Sequence, residues 1–165
     1  MNLSKSKYCK CIQCEKILWL EKHHPEYAKD DENKPPVFET GRKVGELAKG
    51  LLGDYKDIPH DENLSVMIEK TKKLMQDKPN IITEASFSYD NNFCSVDILK
   101  NDLNGVEIYE VKSSTEVKDI HKDDVAYQYF VLSNLGLNVK KVCIVHLNSK
   151  TYTRRKELDI NQLLL

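Results

Sequence analysis

The period of apolar positions changes twice along the chain. From Lys5 to Lys22, Tyr8, Cys11, Ile12, Leu18 and Trp19 recur at near-helical spacing. The predicted helix stops at His23-His24-Pro25, where proline cannot continue it. Residues Asp30 to Pro36 are charged and proline-bearing and read as a loop. A second helix is predicted from Val37 to Leu52, with Val44, Leu47, Ala48, Leu51 and Leu52 as its apolar stripe and Gly53 just past its end. A third begins after Pro59 with Asp61 as its cap; it buries Leu64, Met67, Ile68, Thr71, Leu74 and Met75, and Pro79 closes it. The pattern then turns to that of strands over Ile81–Tyr89, Phe93–Leu99 and Val106–Lys112, joined by short turns. Helical period returns over Asp119–Leu135, with Val125, Tyr129 and Leu132 on one side and Gly136 beyond. Lys141–Leu147 is nearly continuous in apolar residues, as expected for a strand covered on both faces.

These elements predict an α/β (α+β) fold, a mixed central sheet with an antiparallel meander flanked by helices. The strand–helix–strand order after Val106 implies a crossover connection and a parallel, right-handed pairing. At 165 residues the chain suits one domain with a real core. It divides into a helical N-terminal extension (1–36), a core (37–150) and a tail (151–165). The tail ends in Leu163-Leu164-Leu165. Such a terminus either docks on its own domain or marks a chain cut from a longer one.

A net charge of −1 does not suggest a strongly basic nucleic-acid binder and does not exclude one, because a local patch can hold phosphates while the total stays near zero. Lysines cluster at Lys5, Lys7 and Lys10, at Lys70, Lys72 and Lys73, and at Lys140 and Lys141; each cluster reads as a solvated face or a phosphate contact. The first residues are polar and no apolar run reaches the length of a membrane span. Five cysteines, an odd number, argue against a disulfide framework and for a reducing cytoplasm.

The chemistry concentrates at Asp97 and at Glu110-Val111-Lys112. A hairpin in which Lys100 faces Gly105 sets Asp97 opposite Ile108, with Glu110 as its diagonal neighbour roughly 7–8 Å away on the same face. Lys112 shares that face. Two carboxylates and an ammonium so arranged suit Mg²⁺ or Mn²⁺ and the cleavage of a phosphodiester; the plainer alternative is a polar face of a hairpin. The apolar neighbours Val96, Ile98, Ile108 and Val111 make the hairpin central, where charges seldom occur without a function. Gln128 and Asp124 share a helix face. Gln128 either orders Lys112, holds a phosphate oxygen, or is a surface glutamine. Glu46 either completes a metal shell or pairs with Arg42. Cys9, Cys11 and Cys14 give three of the four ligands that a closed zinc or iron–sulfur site needs. Cys94 and Cys143 fall inside predicted strands and read as buried hydrophobes.

Asp97, Glu110-Val111-Lys112 and Gln128, in that order, resemble the PD-(D/E)XK nuclease superfamily in its RecB-like, CRISPR-adaptation exonuclease branch. Leu3–Tyr8, Gln13–Leu20, Phe38–Gly41, Val44–Ala48, Tyr109–Thr115 and Asp124–Gln128 resemble the N-terminal region of a larger family of bacterial proteins. The resemblance implies a restriction-endonuclease-like core and a metal-dependent nuclease acting on DNA, exonuclease-like or on single strands. It implies Mg²⁺ or Mn²⁺ held by Glu46, Asp97, Glu110 and the Val111 carbonyl, with Asp97, Glu110, Lys112 and Gln128 serving catalysis. Iron–sulfur relatives use one early and three late cysteines. The late set is missing, so neither that cluster nor zinc is expected from this chain alone. The alternative is a nucleic-acid-binding or assembly module of the same fold that does not cut, with Tyr8, Trp19 and the lysine clusters as contacts.

Overall fold

The computed structural model describes residues 3–27, 34–153 and 157–165, with side chains except for residues 34–38. In chain order the elements are β1 (Leu3–Ser4), α1 (Lys5–Gln13), α2 (Ile17–His23), a 3-10 turn (Pro25–Tyr27), α3 (Lys34–Ala48), β2 (Lys56–Asp57), α4 (Leu64–Gln76), β3 (Ile81–Tyr89), β4 (Asn92–Asp102), β5 (Gly105–Lys112), α5 (Asp119–Asn134), β6 (Val139–His146) and α6 (Ile160–Leu163). The fold is α+β: a mixed, open sheet in the order β2-β3-β4-β5-β6, flanked by helices, with β1 added beside β4. The β3-β4-β5 meander is antiparallel, whereas β1, β2 and β6 pair in parallel.

Two tight turns fix the meander. Asp90 and Asn91 both take positive φ, +44° and +61°, the backbone of a two-residue hairpin turn. They pair Tyr89 with Asn92 and carry an unbroken register along β3 and β4. The second turn is tighter than expected. β4 continues through Asp102, which pairs with Gly105 and accepts the Asn104 N–H at 2.8 Å. Lys100 therefore faces Glu107, not Gly105. The slip is two residues, so every side chain keeps its face. Extended by one position past Ile98↔Tyr109, the register sets Asp97 directly opposite Glu110 instead of diagonal to it.

Elsewhere the structure redraws some boundaries. The N-terminal helix is two helices, because Cys14 takes extended backbone and ends α1. α3 starts at Lys34, with Pro35 and Pro36 in its first turn, where no intrahelical donor is needed; the rest of the expected loop, 30–33, lies outside the described residues. α4 is capped by Asn63, whose side chain accepts the Ser65 N–H, and Asp61 in turn holds the Asn63 N–H. β6 is an edge strand and not covered on both faces: Lys140 and Lys141 are exposed and only Val145 is buried. The tail docks. Leu164 is 5% exposed and bridges Leu147, and Leu165 exchanges both backbone hydrogen bonds with His146.

The core has two clusters. Met67 of α4 and Val131 and Leu132 of α5 pack with Ile82, Val96, Leu99 and Ile108; Val44 and Ala48 of α3 pack with Ile81, Ile98, Val145 and Leu164. Thr71 pins α4 to the sheet by donating to Met67 O and accepting the Ser86 N–H, both at 2.9 Å.

Candidate active site

Asp97 stands where β4 and β5 part company. The ladder between them ends at Ile98↔Tyr109. Beyond it the Asp97 carboxylate itself accepts the Val111 N–H at 2.6 Å. A side chain thus replaces a ladder bond, and the divergence opens a cleft of about 320 Å³ lined by Glu46, Lys49, Glu84, Asp97, Glu110 and Lys112, among others.

The register also brings in an acid that the motif reading missed. β3 and β4 pair at Thr83↔Ile98 and Ala85↔Val96, so Glu84 falls opposite Asp97. Glu84, Asp97 and Glu110 are therefore consecutive across three neighbouring strands. Glu84 has φ +57° with no inserted residue on either side, a left-handed conformation that costs a non-glycine residue about 1–2 kcal/mol. Its carbonyl leaves the ladder and accepts the Ser86 and Ser95 hydroxyls, each at 3.1 Å.

Around Glu110 the charges close on themselves. Lys112 Nζ lies 2.6 Å from Glu110 Oε1 and 2.5 Å from Asp124 Oδ2. Lys5 Nζ lies 2.8 Å from Glu110 Oε1 and 3.4 Å from Asp124 Oδ1. Gln128, 0% exposed, donates through Nε2 to Glu110 Oε2 at 2.7 Å and to Asp124 Oδ1 at 3.0 Å. It is no surface residue; it fixes Glu110 and, through Asp124, Lys112. Its buried Oε1 has no hydrogen-bond partner among the described residues. Burial works against charge on both lysines, but the carboxylates outweigh it and hold each ammonium above its ordinary pKa: Glu110, then Asp97 and Asp124, for Lys5, and Glu110, then Asp124, for Lys112. Burial likewise opposes the Asp124 charge, and Lys5 and Lys112 outweigh it, so Asp124 stays below the usual carboxylate range.

Asp97 and Glu84 stand outside this balanced set. Among the described residues no cation pairs with either. Burial, then the Glu110 charge, pushes Asp97 up to about 7. Burial raises Glu84 as well, against the attraction of Lys49. Lys5 draws on Asp97 and Lys49 on Glu84 only from a distance, and two hard-oxygen carboxylates on one cleft with no cation in direct contact among the described residues are a donor set that suits a divalent Mg²⁺ or Mn²⁺ ion. Glu110 retains spare acceptor capacity, since three donors fill three of its roughly four lone-pair sites. As the side chains stand, no three Asp, Glu, His or Cys residues among those described close around a common point.

The remaining expected residues occupy different places. Val111 lines the cleft beside Asp97. Glu46 sits at its rim with its side chain 64% exposed, paired with Lys49 at 3.0 Å and not with Arg42. Lys49 also meets Asp57 at 3.0 Å. Gly41 and Gly45 of α3 face the same cleft, and a Cβ at Gly45 would meet nothing within 4 Å. Cys9, Cys11 and Cys14 are free thiols. Cys9 and Cys11 lie two apart on α1 and so point to different sides of the helix.

Lys5 was not recognisable as a site residue, because its partners lie more than a hundred positions away and a lysine in a basic helix start reads as solvated. Glu84 was within reach: the Asp90-Asn91 turn fixes the register that sets it against Asp97. No helix among the described residues is long and apolar enough to cross a membrane. Compared with protein-family models, curated proteins and solved structures, the chain matches none.

Proposed function

We propose that this domain is a metal-dependent nuclease with a restriction-endonuclease-like core, of the RecB-like PD-(D/E)XK kind, cleaving phosphodiester bonds of DNA at ends or in single strands. One observation carries the reading: Asp97, Glu110 and Lys112 meet in one cleft at the point where two strands diverge, and no cation among the described residues is in direct contact with Asp97.

Asp97, Glu110 and the Val111 carbonyl would hold Mg²⁺ or Mn²⁺, with Glu46 reaching in from the rim. A divalent ion bound there supplies the Lewis acidity that polarises a phosphodiester. Lys112, fixed between Glu110 and Asp124, orients the attacking water and offsets charge that develops on the phosphate oxygens. Gln128 is a positioning residue, since it touches only the two acids that hold Lys112. The side-chain-free face at Gly41 and Gly45 leaves room for a strand's backbone, and Arg42 beside it offers a phosphate contact.

The test is incubation of the full chain with end-labelled single- and double-stranded DNA, with RNA as control, in Mn²⁺ and in EDTA. Cleavage should require the metal and fall at least about a hundredfold in Asp97→Ala. Cleavage that survives Asp97→Ala would discard the assigned site. Salt-dependent DNA binding with no cleavage under any metal would favour the non-cutting module instead.

A further inference from the structure

Lys5 belongs to the site and not to a solvated basic patch. Three contacts hold it there. Leu3 and Ser4 pair in parallel with Asn92 and Phe93 of β4. The Tyr127 hydroxyl donates to Leu3 O at 2.7 Å. The Tyr8 ring stacks on Tyr127 with centroids 4.8 Å apart. Ser4 caps α1, accepting the Lys7 N–H, so Lys5 is the first helical residue and projects from a fixed point. Its side chain is 19% exposed, and its ammonium shares Glu110 Oε1 with Lys112.

Glu110 is one of the carboxylates that the proposed metal would use, and Lys5 sets a positive charge against it. Glu110 carries two ammonium groups on Oε1 and an amide on Oε2, while among the described residues no cation is in direct contact with Asp97 or Glu84 and Lys5 draws on Asp97 from a distance. We propose that Lys5 is a tethered counter-ion that occupies Glu110 in the metal-free protein and gives up that oxygen when a divalent cation binds. The N-terminal segment would thereby set the metal affinity of the site. This rests on the metal-dependent reading above.

The sign of the effect separates this role from a merely structural one. A residue that only supports the fold weakens metal binding when removed. A competing positive charge strengthens it when removed, because an ammonium a few ångströms from a divalent ion repels it. The experiment is titration of the full chain with Mn²⁺ at pH 7.5 and fixed ionic strength, with free Mn²⁺ read by electron paramagnetic resonance. Wild type should bind Mn²⁺ in a manner lost in Asp97→Asn. Lys5→Met should bind it roughly tenfold more tightly, while Lys5→Arg, which keeps the charge and donors, should stay within about twofold of wild type. Tyr127→Phe cuts the tether at Leu3 without touching the acids. It should shift affinity in the same direction as Lys5→Met by a smaller factor, and it carries the test if Lys5→Met does not fold. Asp97-dependent binding that these variants leave unchanged or weaken overturns the role of Lys5 alone. No Asp97-dependent binding in wild type overturns both this inference and the metal reading.

Discussion

Replacing Asp97 with asparagine should stabilise the metal-free protein, and only at alkaline pH. The Asp97 carboxyl is held up to about 7 against an ordinary 3.8, first by burial and then by Glu110. An acid whose folded pKa is raised keeps its proton in the fold after the unfolded chain has lost it. Between about pH 4 and 7 the folded state therefore binds more protons, and stability falls as pH rises. Below pH 4 the penalty is absent; above 7 it is complete. Each pH unit is worth about 1.4 kcal/mol, which sets a ceiling of about 4 kcal/mol. Partial exposure to the cleft reduces this to about 2 kcal/mol. Asparagine keeps an oxygen for the Val111 N–H and carries no charge. In urea denaturation with EDTA, Asp97→Asn should match wild type near pH 4.5 and exceed it by about 2 kcal/mol at pH 8.5. Mn²⁺ at pH 8.5 should then raise wild type and leave the variant unmoved. A difference independent of pH, or a variant less stable at pH 8.5, would refute the account of Asp97 as an acid short of a cation.

Glu110→Gln should act in the opposite direction. It leaves Asp124 as the carboxylate that Lys5 and Lys112 still both contact, and should cost about 3 kcal/mol in the same denaturation assay; a loss under about 1 kcal/mol would show the pair to be solvated. Gly105→Ala should cost at least about 2 kcal/mol in thermal unfolding, because φ is +139° and the added Cβ would lie 2.2 Å from Asn138 O. A variant that melts with wild type would mean that the turn between β4 and β5 rearranges freely.

Most of the architecture was legible because the signals are local. The three meander strands and the helix after them follow from a change of apolar period, and the Asp-Asn turn fixes β3 against β4. What failed was local competition. β4 runs three residues past its expected end, through Lys100, Asn101 and Asp102, because Asp102 can cap its own turn. The single N-terminal helix split at Cys14, where the cysteine spacing had drawn attention to ligands instead of backbone. The motif residues Asp97, Glu110, Lys112 and Gln128 came together as one site, while Glu46 stayed at its rim. Lys5 and Glu84 fall outside the motif for different reasons. Lys5 depends on a parallel pairing of two residues, too short to leave a pattern. Glu84 sits in a strand whose alternation gives no hint of a left-handed kink.

The pairing of β1 with β4 has a consequence for biosynthesis. Leu3 and Lys5 are synthesised well before Tyr127 and Glu110, which receive them 124 and 105 positions later. Contacts of such span are the slow ones to form. The nascent polypeptide therefore carries Lys5 without its Glu110 and Asp124 partners until α5 has emerged, and the acidic cleft is completed only then.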